Sequence, residues 1–422
     1  MGNNTTENGI FSRKKVLWDS AFELLCQKYG QMPPIEILNR FESERAEFAD
    51  TDLIVYIRLF SQMADEAYEN NHHILIKGNL GSSFVSYIAG ATGINPLPPH
   101  YYCPQCKKVE FVKAADGWDL PPKKCVCGEQ MQRDGHNIPY QSMRKLVNPP
   151  MSFDINFDEG FKETVIKMID QYFNGCTLVY IDDPQDIIRL TYVLPGEIDG
   201  IKSGSVLSSD EYHEKIRKFP RVNIMTSDML NNLRILEQKT GVCPSEEDIM
   251  QADILEQFRD ANTDGIPDYE TNSAKDILRA VRPSCFSELL KVDGLLHGTG
   301  CWSEKIKHSL ENGELSTNDL IAFREEVFNE IESKSQNISG FAYNVMENTR
   351  LGRYSNGIDF ATINTLRTLG LSEQFISLLT EIKYLFPKAH CVSYVKNALT
   401  YMWYKVHYKN EFMLLNTAKT YL

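Results

Sequence analysis

The chain has 422 residues, 42% of them hydrophobic and 11% aromatic, with a formal net charge of −13. This composition excludes a disordered chain, and the length predicts two or three domains. No apolar run reaches the length of a membrane span, and no secretory leader begins the chain, so we expect a cytoplasmic protein without membrane contact. The ten cysteines also fit a reducing compartment.

The acidic balance argues against tight, sequence-independent binding to DNA. Such binding depends on Lys and Arg side chains that neutralise phosphates. The basic stretches Arg13–Lys15 and Lys215–Lys218 are short and scattered. We therefore expect any DNA binding to be weak and confined to a local groove.

The predicted elements alternate between helix and strand in the first half and are helical in the second. Helices are predicted over residues 11–29, 35–70 and 82–91, strands over 74–76, 152–157 and 176–181, and nearly continuous helix from about 228. The pattern predicts an α+β protein. We expect three parts: an N-terminal helical segment over 1–50, a sheet domain over 51–240 and a helical domain over 241–422.

Four cysteines form two tight pairs, Cys103 with Cys106 and Cys125 with Cys127, separated by eighteen residues. Two such pairs can bring four thiolates to one ion, and a closed tetrahedral four-thiolate site is the usual structural zinc site. We expect Zn²⁺ to hold an inserted loop over about 100–140 without taking part in a reaction. The second pair has one spacer residue where two are usual, and four ordinary reduced thiols are the alternative.

The sequence around these cysteines resembles a known family. Lys77–Val85, Asn95–Cys106 and Asp134–Pro139 are similar to the palm of the PolC-type bacterial DNA polymerase III α subunit. Arg282–Leu289, Gly294–Thr299 and Phe386–His390 resemble its fingers, in the same order. The resemblance implies a polymerase-type palm, a mixed sheet with helices that carries a zinc-ribbon-like insertion, followed by mostly helical fingers. Against that family the chain looks degenerate and truncated, with a shortened thumb and palm region at 158–222 and a thumb that is reduced or absent.

The Gly-rich turn after the strand at 74–76 is a candidate phosphate site, because a strand, turn and helix in succession point backbone amides at one spot. The resemblance implies that this turn receives the triphosphate of a nucleotide and that the fingers contribute Lys-x-His and His-Gly-Thr motifs. The expected nucleotide-binding residues are Lys77, Gly78, Gly81, Ser82, Ser83, His297, Lys388 and His390. Where the family has Arg the chain has Lys77, which loses a bidentate contact and weakens phosphate binding. A structural role for these residues stays open.

Two-metal nucleotidyl transfer needs carboxylates, and the resemblance implies three aspartates on two neighbouring strands. The matching positions hold Ser152, Asp154 and Asn223, so two of the three are neutral. We expect no catalytic residues and no Mg²⁺ site, with Asp154 as the residual acid. Asp158, nearby in sequence, lies beyond the end of the strand and does not restore the set.

These substitutions favour a catalytically inactive PolC-like core, a pseudoenzyme carried by a mobile element. We expect it to act as a decoy or regulator of bacterial DNA replication by binding a nucleotide, a nucleotide-mimicking small molecule or a host replication protein. Two alternatives stay open. One is an active minimal DNA-directed DNA polymerase with substitute carboxylates, and the other is a DNA-binding replication accessory protein.

Overall fold

The computed structural model describes residues 4–144, 151–173, 176–182, 189–193, 198, 200–335 and 338–418. Two compact units, residues 1–235 and 236–422, each have their own core. Part of the region 158–222, in which we expected a shortened thumb, lies outside the described residues. None of the helices described is long and apolar enough to cross a membrane.

Three long helices, Asn4–Tyr29, Ile35–Phe48 and Leu53–Glu69, open the first unit. The third has buried residues at helical spacing, among them Ile57 and Phe60, which form its core face. The single helix predicted over 35–70 is wrong in one respect, because the chain breaks it at 49–52. The Thr51 hydroxyl donates to the Phe48 carbonyl at 2.7 Å and so satisfies the end of the second helix.

The described strands form two sheets in the first unit. The strands are β1 (Ile74–Lys77), β2 (His100–Tyr102), β3 (Val109–Phe111), β4 (Gln132–Asp134), β5 (Ser152–Phe157), β6 (Thr177–Asp182), β7 (Arg189–Val193), β8 (Ser205–Ser208) and β9 (Arg221–Thr226). The larger sheet has the order β1-β5-β9-β7-β6-β8 and the smaller has β3-β2-β4. The larger sheet is mixed, since β5 pairs with β9 and β6 with β8 in parallel while the other neighbours are antiparallel.

The larger sheet buries one face in an aromatic core. Phe153, Ile155 and Phe157 of β5 alternate with polar residues and are at most 2% exposed. Phe153 lies 4.5 Å from the Tyr56 ring and 5.2 Å from Phe60, measured between ring centroids. The alternation follows from the two-residue period of a strand, and it leaves the intervening polar side chains on the opposite face.

The other described α-helices follow in chain order. They are Phe84–Ile88, Lys162–Tyr172, Ser209–Glu211, Asp228–Thr240, Glu246–Ile249, Ala252–Arg259, Asn272–Val281, Phe286–His297, Glu304–Glu311, Arg324–Glu332, Ser339–Arg350, Phe360–Thr368, Glu373–Glu381, Lys388–His407 and Lys409–Ala418. Asp228–Thr240 begins in the first unit and ends in the second. The helix Lys388–His407 is buried along most of its length, with Cys391, Val395 and Leu399 fully buried.

Candidate functional site

A row of polar side chains crosses the face of the larger sheet opposite the aromatic core. The parallel pairing of β5 and β9 sets Asp154 opposite Asn223. On either side, β1 sets Lys77 opposite Asp154, and β7 sets Thr191 opposite Asn223. Residues opposite one another share a face, and Ser152 joins it two residues before Asp154. We call Lys77, Ser152, Asp154, Thr191 and Asn223 the polar row.

Hydrogen bonds fix the orientation of the Asn223 amide at the centre of the polar row. The Thr191 hydroxyl donates to Asn223 Oδ1 at 2.9 Å. Asn223 Nδ2 donates to Asp154 Oδ1 at 2.8 Å and to Ser152 Oγ at 3.4 Å. The structure thus brings together the three positions singled out in the sequence. At their centre it places an amide N–H group beside one carboxylate.

Asp158, the nearest acid that could substitute, is engaged elsewhere. It is 1% exposed, accepts the His73 backbone N–H at 2.7 Å and lies 2.9 Å from His72 Nδ1 and 3.3 Å from an Arg234 nitrogen. Asp158 follows Asp154 by four residues of extended chain, which corresponds to a distance of about 13 Å along the strand direction. Throughout the described ranges, the only group of three or more His, Cys, Asp or Glu placed to hold a metal ion consists of the four cysteines.

The Gly-rich turn after β1 is a 3-10 helix, Gly78–Ser82, followed by the short helix Phe84–Ile88. The buried Glu44 carboxylate accepts hydrogen bonds from the Ser83 hydroxyl at 2.9 Å and from the Phe84 and Val85 backbone N–H groups at 2.9 and 3.3 Å. An internal carboxylate therefore occupies the start of this helix.

Arg40 completes this internal arrangement. Its Nε donates to Glu44 at 2.6 Å, and its Nη2 donates to the Ser82 carbonyl at 2.7 Å. Gly81, Ser82 and Ser83 are buried, whereas Lys77 and Gly78 are partly exposed at the edge of the polar row. The nucleotide-binding role of this turn stays a prediction, and Lys77 and Gly78 are its accessible members.

The four cysteines lie together beside the smaller sheet. Their Sγ atoms are within 4.8 Å of one another, and Cys103 and Cys125 are buried while Cys106 and Cys127 are exposed. The Cys106 backbone N–H donates to Cys103 Sγ and lowers the pKa of the Cys103 thiol to about 7. A tetrahedral ion with bonds of about 2.3 Å needs sulfur separations of about 3.8 Å. The cluster could therefore bind a metal ion with little rearrangement.

Each cysteine pair sits on a tight backbone turn. In the first, the Lys107 N–H donates to the Cys103 carbonyl at 2.9 Å, and Lys107 has a φ of 62°. In the second, the Gly128 N–H donates to the Cys125 carbonyl at 2.9 Å, and Gly128 has a φ of 91°. Glycine adopts that conformation without steric cost, so Gly128 allows a turn with one spacer residue.

In the second unit, His297 and His390 pack around one aromatic ring. His297 stacks on Phe386 with centroids 4.8 Å apart and planes 20° apart, and His390 lies 5.1 Å from the same ring. Lys388 is buried, and its backbone N–H donates to the Glu325 carboxylate at 2.9 Å. The structure therefore brings His297, at the end of the helix Phe286–His297, together with His390 around Phe386, and Lys388 lies two residues before His390 at the start of the helix Lys388–His407.

Asp293 sets the ionisation of His297. Burial lowers the pKa of the imidazole, but the hydrogen bond and negative charge of Asp293 outweigh burial and raise that pKa to about 9. His297 Nδ1 lies 3.0 Å from the Asp293 carbonyl oxygen and 3.6 Å from its carboxylate Oδ2. A protonated imidazole at neutral pH follows from this geometry.

The sequence comparisons agree with this arrangement. Residues 225–348 match the family model described as "Bacterial DNA polymerase III alpha subunit finger domain". Three PolC-type DNA polymerase III proteins are similar to most of the chain. The protein of Thermotoga petrophila is 27% identical over 91% of the chain, and that of Caldanaerobacter subterraneus is 25% identical over 94% of the chain. The protein of Staphylococcus aureus is 23% identical over 90% of the chain. The chain contains a PolC-like polymerase region. It spans about a third of the length of these relatives, 33%, 33% and 31% respectively.

The mixed sheet and the helical second unit of the PolC-like region fit a polymerase palm and fingers. Four residues that shape its sites were not singled out in the sequence: Arg40, Glu44, Thr191 and Asp293. The spacing of Arg40 with Glu44, and of Asp293 with His297, is i, i+4 on a helix, which was an available signal. Thr191 carried no such signal, because its contact depends on strand pairing.

Proposed function

We propose that the chain is a catalytically inactive PolC-like core that acts as a decoy or regulator of bacterial DNA replication. The observation that carries the proposal is the hydrogen bond from Asn223 Nδ2 to Asp154 Oδ1. Mg²⁺ binds through oxygen ligands, usually carboxylates. The amide instead points a donor N–H at the remaining carboxylate, into the space where a bridging cation would lie.

The charge of the polar row supports the same conclusion. Three carboxylates would bring three negative charges to balance the charge of two divalent ions. The polar row instead contains one carboxylate, that of Asp154, and Lys77 lies opposite Asp154 on the neighbouring strand. Each lost metal contact removes several kcal/mol of transition-state stabilisation. Because about 4 kcal/mol corresponds to roughly a thousandfold in rate, two such losses leave roughly a millionth of the rate.

The ligand of the inactive core is a nucleotide, a nucleotide-mimicking small molecule or a host replication protein. Lys77 and Gly78 on the palm side, and His297, Lys388 and His390 in the fingers, are the proposed contacts. The grouping of the two histidines around Phe386 supports the fingers half of this assignment. In this proposal residues 51–240 form a palm-like domain with a reduced or absent thumb, and 241–422 form the fingers-like domain.

We also propose a structural Zn²⁺ ion at Cys103, Cys106, Cys125 and Cys127, in a zinc-ribbon-like insertion. The four thiols, whose Sγ atoms lie within 4.8 Å of one another and two of which are buried, support zinc, since soft thiolate ligands favour it. The ion would hold the loops around the smaller sheet and supply folding energy to that insertion.

Primer extension with Mg²⁺ or Mn²⁺ tests the proposal. We expect no extension by the wild-type chain. Extension by the wild type that Asp154→Ala abolishes would overturn it in favour of an active minimal polymerase. The double variant Ser152→Asp with Asn223→Asp restores the missing acids, and Ser152→Asn with Asn223→Asp is its matched control with one acid fewer.

A binding experiment separates the remaining possibilities. Calorimetric titrations with deoxynucleotides, with a nucleotide-mimicking polymerase inhibitor and with the host replicase identify the ligand class. Salt-dependent binding to primer-template DNA, without binding of these ligands, would instead favour a DNA-binding accessory protein. The net charge of −13 argues against that outcome.

A further inference from the structure

A buried carboxylate in the second unit, that of Asp293, lies beside a side chain that can neutralise its charge. Asp293 lies on the helix Phe286–His297 and is fully buried. The hydroxyl of the equally buried Tyr269 donates to its Oδ1 at 3.0 Å. Its Oδ2 lies 3.6 Å from His297 Nδ1, and among the residues described His297 is the cation-forming side chain within 4.0 Å. A buried carboxylate is costly unless such a charge accompanies it.

The His297 ring is held in place on several sides. Its Nδ1 lies 3.0 Å from the Asp293 carbonyl, which fixes this nitrogen as a donor. Phe386 stacks on the ring at 4.8 Å and Tyr394 lies at 5.5 Å, and both rings favour a cation beside them. With Nδ1 used by Asp293, Nε2 is the donor that His297 has left for a ligand, and the side chain is 23% exposed.

We propose that Asp293 is a positioning residue that keeps His297 a cation, so that His297 Nε2 donates to a phosphate oxygen of an anionic ligand. This inference rests on the proposed nucleotide-like ligand and names the group that recognises its phosphates. A charged donor at a fixed position binds phosphate more tightly than a neutral imidazole. The ionisable groups that face the pair are Tyr269, Cys391, His390, Tyr394 and, through its charge, Asp268.

NMR titration of the His297 ring in the full chain tests the positioning role without any ligand. In the wild type we expect His297 to titrate with a pKa of about 9. In Asp293→Asn burial then dominates, and the pKa falls to 6.5 or below, a loss of proton affinity of more than a hundredfold. Asp293→Glu should restore part of the rise. Asp276→Asn, an acid of the same unit that pairs with Lys307, is the matched control and should change nothing.

A wild-type His297 that titrates near 6.5, or a raised value that survives Asp293→Asn, would overturn the positioning role. A wild-type value near 6.5 overturns the role even if Asp293→Asn does not fold, and Asp293→Glu then supplies the second comparison.

Calorimetry with inorganic tripolyphosphate at neutral pH tests the ligand half. We expect His297→Gln and Asp293→Asn each to weaken binding about tenfold or more, in line with the loss of one charged hydrogen bond. The Asp276→Asn control should bind as the wild type does. Binding unaffected by either variant, or absent in the wild type, would overturn the phosphate contact. In the second case the nucleotide part of the proposed function fails too, while the NMR result on Asp293 stands.

Discussion

Asn223→Asp should make the first unit less stable and should make its stability respond to divalent metal. The substitution keeps the hydrogen bond from Thr191 but replaces the N–H that lies 2.8 Å from Asp154 Oδ1 with a carboxylate oxygen. Two carboxylates about 4 Å apart repel by about 1 kcal/mol in water and about 4 kcal/mol at an effective dielectric of 20. Since Asp154 is exposed, a value near 2 kcal/mol applies, and the lost hydrogen bond adds about 1 kcal/mol.

The assay is urea unfolding followed by circular dichroism, in chelator and in excess Mn²⁺. We expect the variant to lose about 3 kcal/mol of unfolding free energy in chelator at neutral pH, from the two contributions above. Mn²⁺ should recover most of this loss, because the new carboxylate pair can share a cation. Acidification toward pH 4 should recover it too, since protonation of one carboxyl removes the repulsion.

Asn223→Leu is the matched control. It adds no charge but removes the hydrogen bonds of Asn223 with Asp154, Ser152 and Thr191, so it should cost about 3 kcal/mol in chelator, roughly 1 kcal/mol for each bond, and show no response to Mn²⁺. The reasoning would be refuted by a wild-type chain that gains as much from Mn²⁺ as Asn223→Asp does. It would also be refuted by an Asn223→Asp variant as stable in chelator as the wild type.

Three further predictions concern the other sites. Cys103→Ser should abolish zinc in elemental analysis and expose residues 100–134 to limited proteolysis, and a wild-type protein free of zinc would contradict this. Glu44→Gln should lower the free energy of unfolding by about 3 kcal/mol, because it removes the buried negative charge that pairs with Arg40. Glu47→Gln, at the partly exposed ion pair with Arg144, is the control and should cost under about 1 kcal/mol, both measured by urea unfolding. The raised pKa of His297 stabilises the second unit fully below about pH 6.5, and this contribution, up to about 3 kcal/mol, should be lost as the pH rises through about 9. Urea unfolding at both ends of this range should show the loss in the wild type, and an equal loss in Asp293→Asn would contradict the assignment.

The sequence was sufficient to place the centre of the palm-like sheet. Alternating apolar residues define β5, and the resemblance pairs it with the strand that carries Asn223, so the juxtaposition of Asp154 and Asn223 could be predicted. The four cysteines could be grouped for a similar reason, since their spacing limits where their sulfur atoms can meet.

The contacts that define the Gly-rich turn could not be predicted in the same way. Arg40 and Glu44 have the spacing of an ordinary surface ion pair on a helix, yet Glu44 is 1% exposed and reaches Ser83, far along the chain. The helix break at 49–52 was hidden for a different reason. Residues 49–52 contain no Gly or Pro to mark the break, and Thr51 was the local signal that a helix ends there.

The parallel pairing of β5 with β9 has a consequence for evolution and for engineering. The ladder between these strands fixes their relative position, and β7, which lies in the connecting segment, also pairs with β9 and supplies Thr191 to the face above Asp154. The turns of the connecting segment can therefore lengthen or shorten while that face keeps its geometry, as long as β7 stays paired. Gly200 and Gly204 have positive φ angles and open space where a side chain would begin, so this turn is a suitable place to graft a foreign module, such as a fluorescent reporter, without disturbing the strands.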